Sequence, residues 1–480
     1  MTTPVHDTAE GTARPPRARR ALVAGSVGNF IEWYEFGVYG YFATIIAANF
    51  FTPDGGSEIE ALVKTYASFA LAFFFRPVGA ALFGRLGDRI GRRPTLILVV
   101  LMMTVATTLI GLLPTYATVG AAAPWLLTLL RIVQGLSAGG EFGGAVSVMT
   151  EFAPPGRRGL YGAWQSFTVA LGLLGGAGMA ALLATVLSES QLNGWGWRLP
   201  FLLTLPLGLA ALWLRLRLEE TPSFERAARE RSSGTGERSA QGRSPETEDA
   251  PQKNDGPQPH GARRTTNAPD TPRAETVTAA PAREVAKAIA LGAGRLMGWS
   301  AAGYTFLVVM PSYLQSTLNA SFQQALVATV LANLGFAASI IPAGALSDRV
   351  GRRAVMVAGA VLVAVLAFPL LDLLQDAGSS TASKGTAVFV AGAVVGLMAG
   401  PGPAMLAEMF PTRVRYTGLG LAYALSNAVF SGCAGLIITE VIKRTGNIDI
   451  PAHYVVVTCA VSTVALLTLR GDDHRRALRA

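Results

Sequence analysis

GRLGDRIGRR (residues 84–93) and GALSDRVGRR (344–353) are two copies of one pattern, 260 residues apart. A second pair, EFAPPGRRG (151–159) and EMFPTRVRY (408–416), repeats at an offset of 257. Two independent motifs at nearly the same spacing read as one duplicated unit, an arrangement common in secondary transporters. Each motif is basic and lies at the edge of long apolar runs, so the duplicated unit is a set of membrane-crossing helices.

Composition agrees. Of 480 residues, 51% are hydrophobic and 15% charged, against about 25% charged in soluble domains. A window of about 19 residues predicts twelve spans, near 21–48, 63–84, 94–113, 125–149, 160–187, 199–217, 287–311, 324–345, 354–374, 386–408, 417–441 and 453–470. The predicted fold class is an all-α polytopic membrane protein. Its expected parts are an N-terminal tail (1–20), a six-helix bundle (21–217), a central loop (218–285), a second six-helix bundle (286–470) and a C-terminal tail (471–480). The stretch 225–276 contains no Val, Ile, Leu, Met, Phe, Tyr or Trp, so it cannot bury a core and is expected to be a disordered tether.

Lys and Arg set the orientation. One family of loops carries Arg17, Arg19 and Arg20, then Arg85, Arg89, Arg92 and Arg93, then Arg157 and Arg158. It continues with the central loop, Arg349, Arg352 and Arg353, Arg413 and Arg415, and Arg475 and Arg476. The alternate loops FTPDGGSEIE, TYATVGAAAP and LSESQLNGWG contain neither residue. Both termini are therefore expected to be cytoplasmic, in a multi-pass protein of the plasma or inner membrane. The net charge of +9 is explained by this topology, not by a nucleic-acid partner. Cys433 and Cys459 fall within spans, and the four histidines lie in tails, a loop or near a span end. No disulfide framework, metal site or histidine proton relay is expected.

Charges inside the spans carry the chemistry. An acidic residue near a helix centre costs roughly 2.5–3.5 kcal/mol on insertion scales, yet GNFIEWYEF (28–36) holds two. Gly25, Gly28, Glu32, Glu35 and Tyr39 recur at spacings of 3, 4, 3 and 4, which places them on one helix face. The fourth span holds Arg131, with Gln134 one turn on and Gly135, Gly139 and Gly143 as a stripe for close helix packing. Arg76 and Arg295 lie in the second and seventh spans. Glu32, Glu35 and Glu141 thus stand against Arg76, Arg131 and Arg295, enough for complete pairing. At least one Glu is expected to change protonation if transport is proton-coupled.

The motifs G-x-L-x-D-R-x-G-R-R, G-N-x-x-E-W-Y-E-x-x-x-Y-G, F-R-P-V-G, R-x-x-Q-G-x-S-x-G-G-E, G-W-R-L-P-F, L-E-E-T-P-x-F and A-E-M-F-P-T-x-V-R together resemble the metabolite:proton symporters of the major facilitator superfamily, a branch that includes proline/betaine, α-ketoglutarate, shikimate and citrate symporters. The resemblance implies twelve helices in two pseudo-symmetric bundles working by alternating access. It implies gating motifs at Gly84, Asp88, Arg89, Gly91 and Arg92, and at Gly344, Asp348, Arg349, Gly351 and Arg352, with partners Glu151, Arg158, Glu408 and Arg415. Asp88 is expected to face the start of the eleventh helix near Arg415, and Asp348 the start of the fifth near Arg158. Glu35 stands where related symporters usually carry Asp, so Glu35 and Arg131, with Glu32 beside them, are the expected proton-coupling residues. Tyr39, Arg76, Gln134 and Arg295 are the expected substrate-binding residues.

The function expected from the arginines is proton-coupled uptake of a small mono- or dicarboxylate. The alternative is an osmolyte such as proline or glycine betaine, suited by cation–π contact with Trp33, Tyr34 or Tyr39, of which only Tyr39 shares the glutamate face. A drug–proton antiporter would carry Gly-Pro in the fifth span, where LGLLGGAGMA (171–180) has no proline. No phosphate-binding G-x-x-x-x-G-K-[ST] occurs, and no nucleophile–base constellation indicates an enzyme. The expected partners are the lipid bilayer, a small-molecule substrate and protons, with no cofactor and a monomeric chain.

Overall fold

Each apolar run folds as a helix, because lipid leaves backbone groups no other partner. The computed structural model describes residues 15–53, 56–90, 92–139, 142–151, 153–216, 282–410 and 412–470. Twelve spans follow in order: α1 (Pro15–Tyr41), α2 (Glu58–Ile90), α3 (Arg92–Leu112), α4 (Ala122–Ala138, resumed as Phe142–Glu151), α5 (Arg158–Val186) and α6 (Arg198–Leu216). The second half supplies α7 (Ala282–Tyr304), α8 (Phe322–Val350), α9 (Arg352–Gln375), α10 (Thr381–Ala399, resumed as Gly402–Met409), α11 (Thr412–Ser426) and α12 (Ile450–Leu467). Wide π-type turns extend α7 through Thr305–Val309 and α11 through Asn427–Gly432, and α1 ends in another at Ala47–Phe51. Such turns re-aim side chains and recur at functional sites. Helices start where the sequence offers caps: Ser321 and Gln324 form a reciprocal capping box at α8. Between α8 and α9 the chain reverses at Gly351, whose φ of 97° is open to glycine and strained for other residues.

Nine described helices are long and apolar enough to cross a membrane, and Ala122–Ala138 is apolar but shorter. α1 and α7 are not among the nine; they are helices whose polar and small residues face inward. The outward faces carry exposed Leu101, Val105, Trp125, Leu129, Val365 and Val464, which lipid covers.

Residues Met1–Glu219 and Ala286–Ala480 form one compact unit, with the aromatic centre of its core at α1, α2 and α7. The second unit is Glu220–Val285, of which only residues 282–285, in the first turn of α7, are described. The expected central loop (218–285) therefore lies largely outside the described residues, as do residues 1–14 and the C-terminal tail (471–480). α1 begins at Pro15, inside the expected N-terminal tail (1–20).

Glycines set how closely the helices approach. A Cβ on Gly135 would lie 1.9 Å from the Ala72 carbonyl oxygen, and one on Gly139 2.0 Å from that of Arg76. α4 therefore rests backbone to backbone on α2. The second half repeats this 257 residues on, where Gly392 of α10 abuts the Ala332 carbonyl and Gly396 abuts Ser339 of α8. Between the halves, the second helix of each meets the fifth of the other. α8 packs on α5 at Gly344 and Gly159, and α2 packs on α11 and on the helix Ala434–Thr445 that continues it, where Gly432 and Gly435 face Phe73 and Tyr66.

Candidate functional site

The inward stripe of α1 meets α2, α4 and α7 at the centre of the molecule. Glu32, Glu35, Tyr39, Arg76, Arg131 and Gln134 are all buried. Arg76 Nη2 lies 3.3 Å from Glu32 Oε1. The Arg76 guanidinium carbon stands 4.3 Å from the ring centres of Phe36 and Phe73 and 5.5 Å from that of Trp33. Arg131 stands 4.1 Å over Tyr39, 4.9 Å over Phe69 and 5.0 Å over Phe36. Tyr304 of α7 closes the group, 5.4 Å from Phe73 and 6.1 Å from both Phe69 and Trp33. Two guanidinium groups are thus held in an aromatic box. Flat cations tolerate such desolvation because the rings offer their negative faces, worth about 2 kcal/mol or more per contact when water is excluded.

Arg131 extends toward Glu35 through side chains. Its Nη1 donates to Gln134 Oε1 at 2.7 Å. Gln134 Nε2 donates to Thr107 Oγ1 at 2.6 Å, and Thr107 Oγ1 donates to Glu35 Oε2 at 2.8 Å. Nε and Nη2 of Arg131 and Nε of Arg76 meet no hydrogen-bond acceptor among the described residues. Buried, charged donors of this kind bind anions strongly, since leaving them unmatched is costly.

The structure brings Glu32, Glu35, Tyr39, Arg76, Arg131 and Gln134 together, and it moves Arg295 away. That arginine donates from Nη2 to Thr468 Oγ1 at 2.8 Å and from Nε to the Ala465 carbonyl at 3.3 Å, tying α7 to the end of α12. It lies nine residues before Tyr304, about 14 Å along the helix. Its expected place in the substrate site is corrected to a helix-end clamp, because the Ala465 carbonyl and the Thr468 hydroxyl at the end of α12 accept from it. Trp33, expected off the glutamate face, does wall the box. Tyr34 instead donates to the Pro200 carbonyl of α6. Glu141 lies outside the described residues.

At the end bearing the repeated motifs, Asp348 receives the free N–H groups that open α5, Gly159 at 2.7 Å and Leu160 at 2.9 Å. Arg352 bonds Asp348 at 2.7 Å and Glu408 at 3.1 Å, and Arg158 reaches Glu408 at 3.4 Å. Asp348 thus caps a helix of the other half. Gly344 and Gly351 supply the close approach and the turn described above. Arg349 is exposed. Buried Arg415 donates to the Phe410 carbonyl. The side chains of its expected partner Asp88 and of Arg89, Arg92 and Glu151 lie outside the described residues, as does the whole of Gly91.

The halves also meet at the opposite end. Tyr66 and Ser312 share a 2.6 Å hydrogen bond, Thr44 donates to Gln315 at 3.0 Å, and Val308 packs on Gly40. A cavity of about 20 Å³ beside Glu32, lined also by Gly28, Thr104 and Ser137, has room for about one water. Asp348→Ala is expected to favour opening at the motif end about tenfold or more, since two charge-assisted bonds are lost; distances between spin labels on α5 and α8 would record it.

Thr107 and the rings of Phe36, Phe69, Phe73 and Tyr304 were not singled out by sequence. The run FALAFFFRP (69–77) was the available signal for α2. Thr107 had only its helical phase, four residues from Met103.

Similarity to known proteins follows the same outline. The chain is 31% identical over 461 residues to the proline/betaine transporter of Escherichia coli K12, covering 96% of this chain and 85% of that one. It is 33% identical over 467 residues to the α-ketoglutarate permease of the same organism, covering 95% and 94%. Among solved structures, the proton:xylose symporter XylE, an Escherichia coli protein, superposes with a TM-score of 0.70 at 18% identity over 95% of each chain, which establishes the twelve-helix major facilitator fold. Residues 21–470 match the family model described as sugar (and other) transporter, and this chain, a membrane transporter and not an enzyme, belongs to that family.

Proposed function

We propose that the protein is a proton-coupled symporter that imports a small zwitterion of the proline or glycine betaine type. The observation that carries this reading is the aromatic box. A substrate carboxylate would dock on the unmatched donors of Arg131 and Arg76. The cationic end would rest on Trp33, Tyr39 or Tyr304, near the counter-charge of Glu32. A box with both charges and several rings suits a zwitterion better than the mono- or dicarboxylate expected from the arginines alone. Similarity to a proline/betaine transporter over nearly the whole chain supports the same choice.

In this mechanism an external proton neutralises Glu35 and loosens the hold of the carboxylate on the Gln134–Arg131 chain. Arg131 then engages the substrate carboxylate. The latch at Asp348, on the cytoplasmic side by the Lys and Arg bias, opens to release both. The chain acts as a monomer in the cell membrane with both termini cytoplasmic, and protons are the only coupling species.

The test is uptake into proteoliposomes under an imposed inward proton gradient. Glycine betaine or proline is expected to accumulate, and Glu35→Gln to retain exchange without proton-driven accumulation. Accumulation of α-ketoglutarate alone would return the reading to a dicarboxylate, which similarity to the permease and the two arginines favour. Full proton-driven accumulation by Glu35→Gln would overturn the proton assignment.

A further inference from the structure

Thr107 sits between the carboxyl group of Glu35 and the amide of Gln134 with more neighbours than one hydroxyl proton can serve. Its Oγ1 lies 2.8 Å from Glu35 Oε2, 2.9 Å from the Met103 carbonyl oxygen and 2.6 Å from Gln134 Nε2. A hydroxyl has one donor and two acceptor sites. Gln134 cannot be turned around, because its Oε1 accepts from Arg131 and guanidinium has only donors. Its Nε2 therefore always donates to Thr107. The remaining proton has two destinations, the Glu35 carboxylate or the Met103 carbonyl one turn back along α3.

We infer that Thr107 is a positioning residue that reports the protonation state of Glu35 to Arg131 by reversing the direction of its hydroxyl. The inference rests on the reading of Glu35 as the proton carrier. With Glu35 ionised, every donor in the series Arg131, Gln134, Thr107 points toward the carboxylate, an aligned chain in which each bond polarises the next. With Glu35 protonated, its own O–H donates to Thr107, and the Thr107 proton turns to the Met103 carbonyl. The chain loses its anionic terminus, Gln134 Oε1 becomes a weaker acceptor, and Arg131 is released toward a substrate carboxylate. No covalent bond forms or breaks beyond the proton gained by Glu35.

Among the described residues the second half shows no counterpart to this chain. The position 257 residues beyond Arg131 is Val388, buried in α10. The glycines of the α4 face are duplicated, but the arginine that uses them is not. Charged and titratable groups near Glu35 among the described residues include Arg131 on α4 and Tyr34 on its own helix, with the Glu32–Arg76 pair one turn away.

Thr107→Val keeps the shape and removes the hydroxyl; Thr107→Ser restores it. An ionised carboxylate gains more from a donor than its protonated form does. Removing that donor therefore makes protonation easier. In purified full-length protein, the infrared band of the protonated Glu35 carboxyl, assigned by its absence in Glu35→Gln, is followed against pH. Its midpoint is expected to move to higher pH by about one unit in Thr107→Val, a roughly tenfold change in proton affinity. Proton-driven accumulation of glycine betaine should fall by a similar factor, and both should return in Thr107→Ser. A wild-type midpoint in Thr107→Val would overturn the inference while leaving Glu35 as the carrier. A carboxyl band and accumulation unchanged in Glu35→Gln would overturn the proton assignment itself.

Discussion

Arg131→Lys is expected to lower proton-driven uptake at least a hundredfold, although it preserves the charge. Lysine is a compact point charge with a flexible stem, whereas the guanidinium is a flat fork. Arg131 uses that fork in two ways at once. Nη1 donates to Gln134, while Nε and Nη2 remain directed elsewhere. The flat group also lies 4.1 Å over Tyr39 and 4.9 Å over Phe69. A lysine ammonium would keep one of these interactions and lose the others. One charge-assisted hydrogen bond is worth about 1.5–3 kcal/mol, and a desolvated cation–π contact about 2 kcal/mol. Their combined loss corresponds to two or more powers of ten. Substrate counterflow and proton-driven uptake should fall together. Uptake within a fewfold of wild type would mean that charge alone suffices and that the stacked geometry is incidental.

The second large effect is on stability. Glu32→Gln leaves Arg76, 3% exposed, without the carboxylate 3.3 Å from its Nη2. Removing one member of a buried ion pair costs about 3–5 kcal/mol, because the remaining charge cannot regain water. The variant should lose thermal stability markedly in detergent. The double variant Glu32→Gln/Arg76→Met removes both charges and fills similar volume, so it should recover most of that loss. Transport should stay absent in both variants, since Arg76 also faces the box through Phe36 and Phe73. Equal destabilisation of the single and double variants would show that Arg76 is held by its rings and not by Glu32.

Much of the architecture was legible because membrane helices follow from local composition. The apolar runs mark twelve spans, whose ends moved by one or two residues at α5 and α6 and by five or six at α2. The 260 and 257 offsets carried the duplication. Charges in apolar surroundings were conspicuous for the same reason: lipid penalises them, so Glu32, Glu35, Arg76 and Arg131 stood out. The aromatic walls did not. Phe, Tyr and Trp are ordinary in membrane helices, and nothing local distinguishes Phe36 or Tyr304 from residues that face lipid.

By itself the sequence determined the helices, their duplication and the single face of α1 that carries both glutamates. These follow from spacing along one chain and from the cost of charge in hydrocarbon. The seat of Asp348 at the start of α5 was implied only by the family resemblance. Only the tertiary structure decided which arginine each glutamate meets. Glu32 meets Arg76 directly, while Glu35 reaches Arg131 through Thr107 and Gln134. It also decided that Arg295 serves α12 instead of the site. Those outcomes depend on how closely α4 can press on α2 at Gly135 and Gly139 and on where α7 brings Tyr304, distances between helices that no pattern within one helix contains.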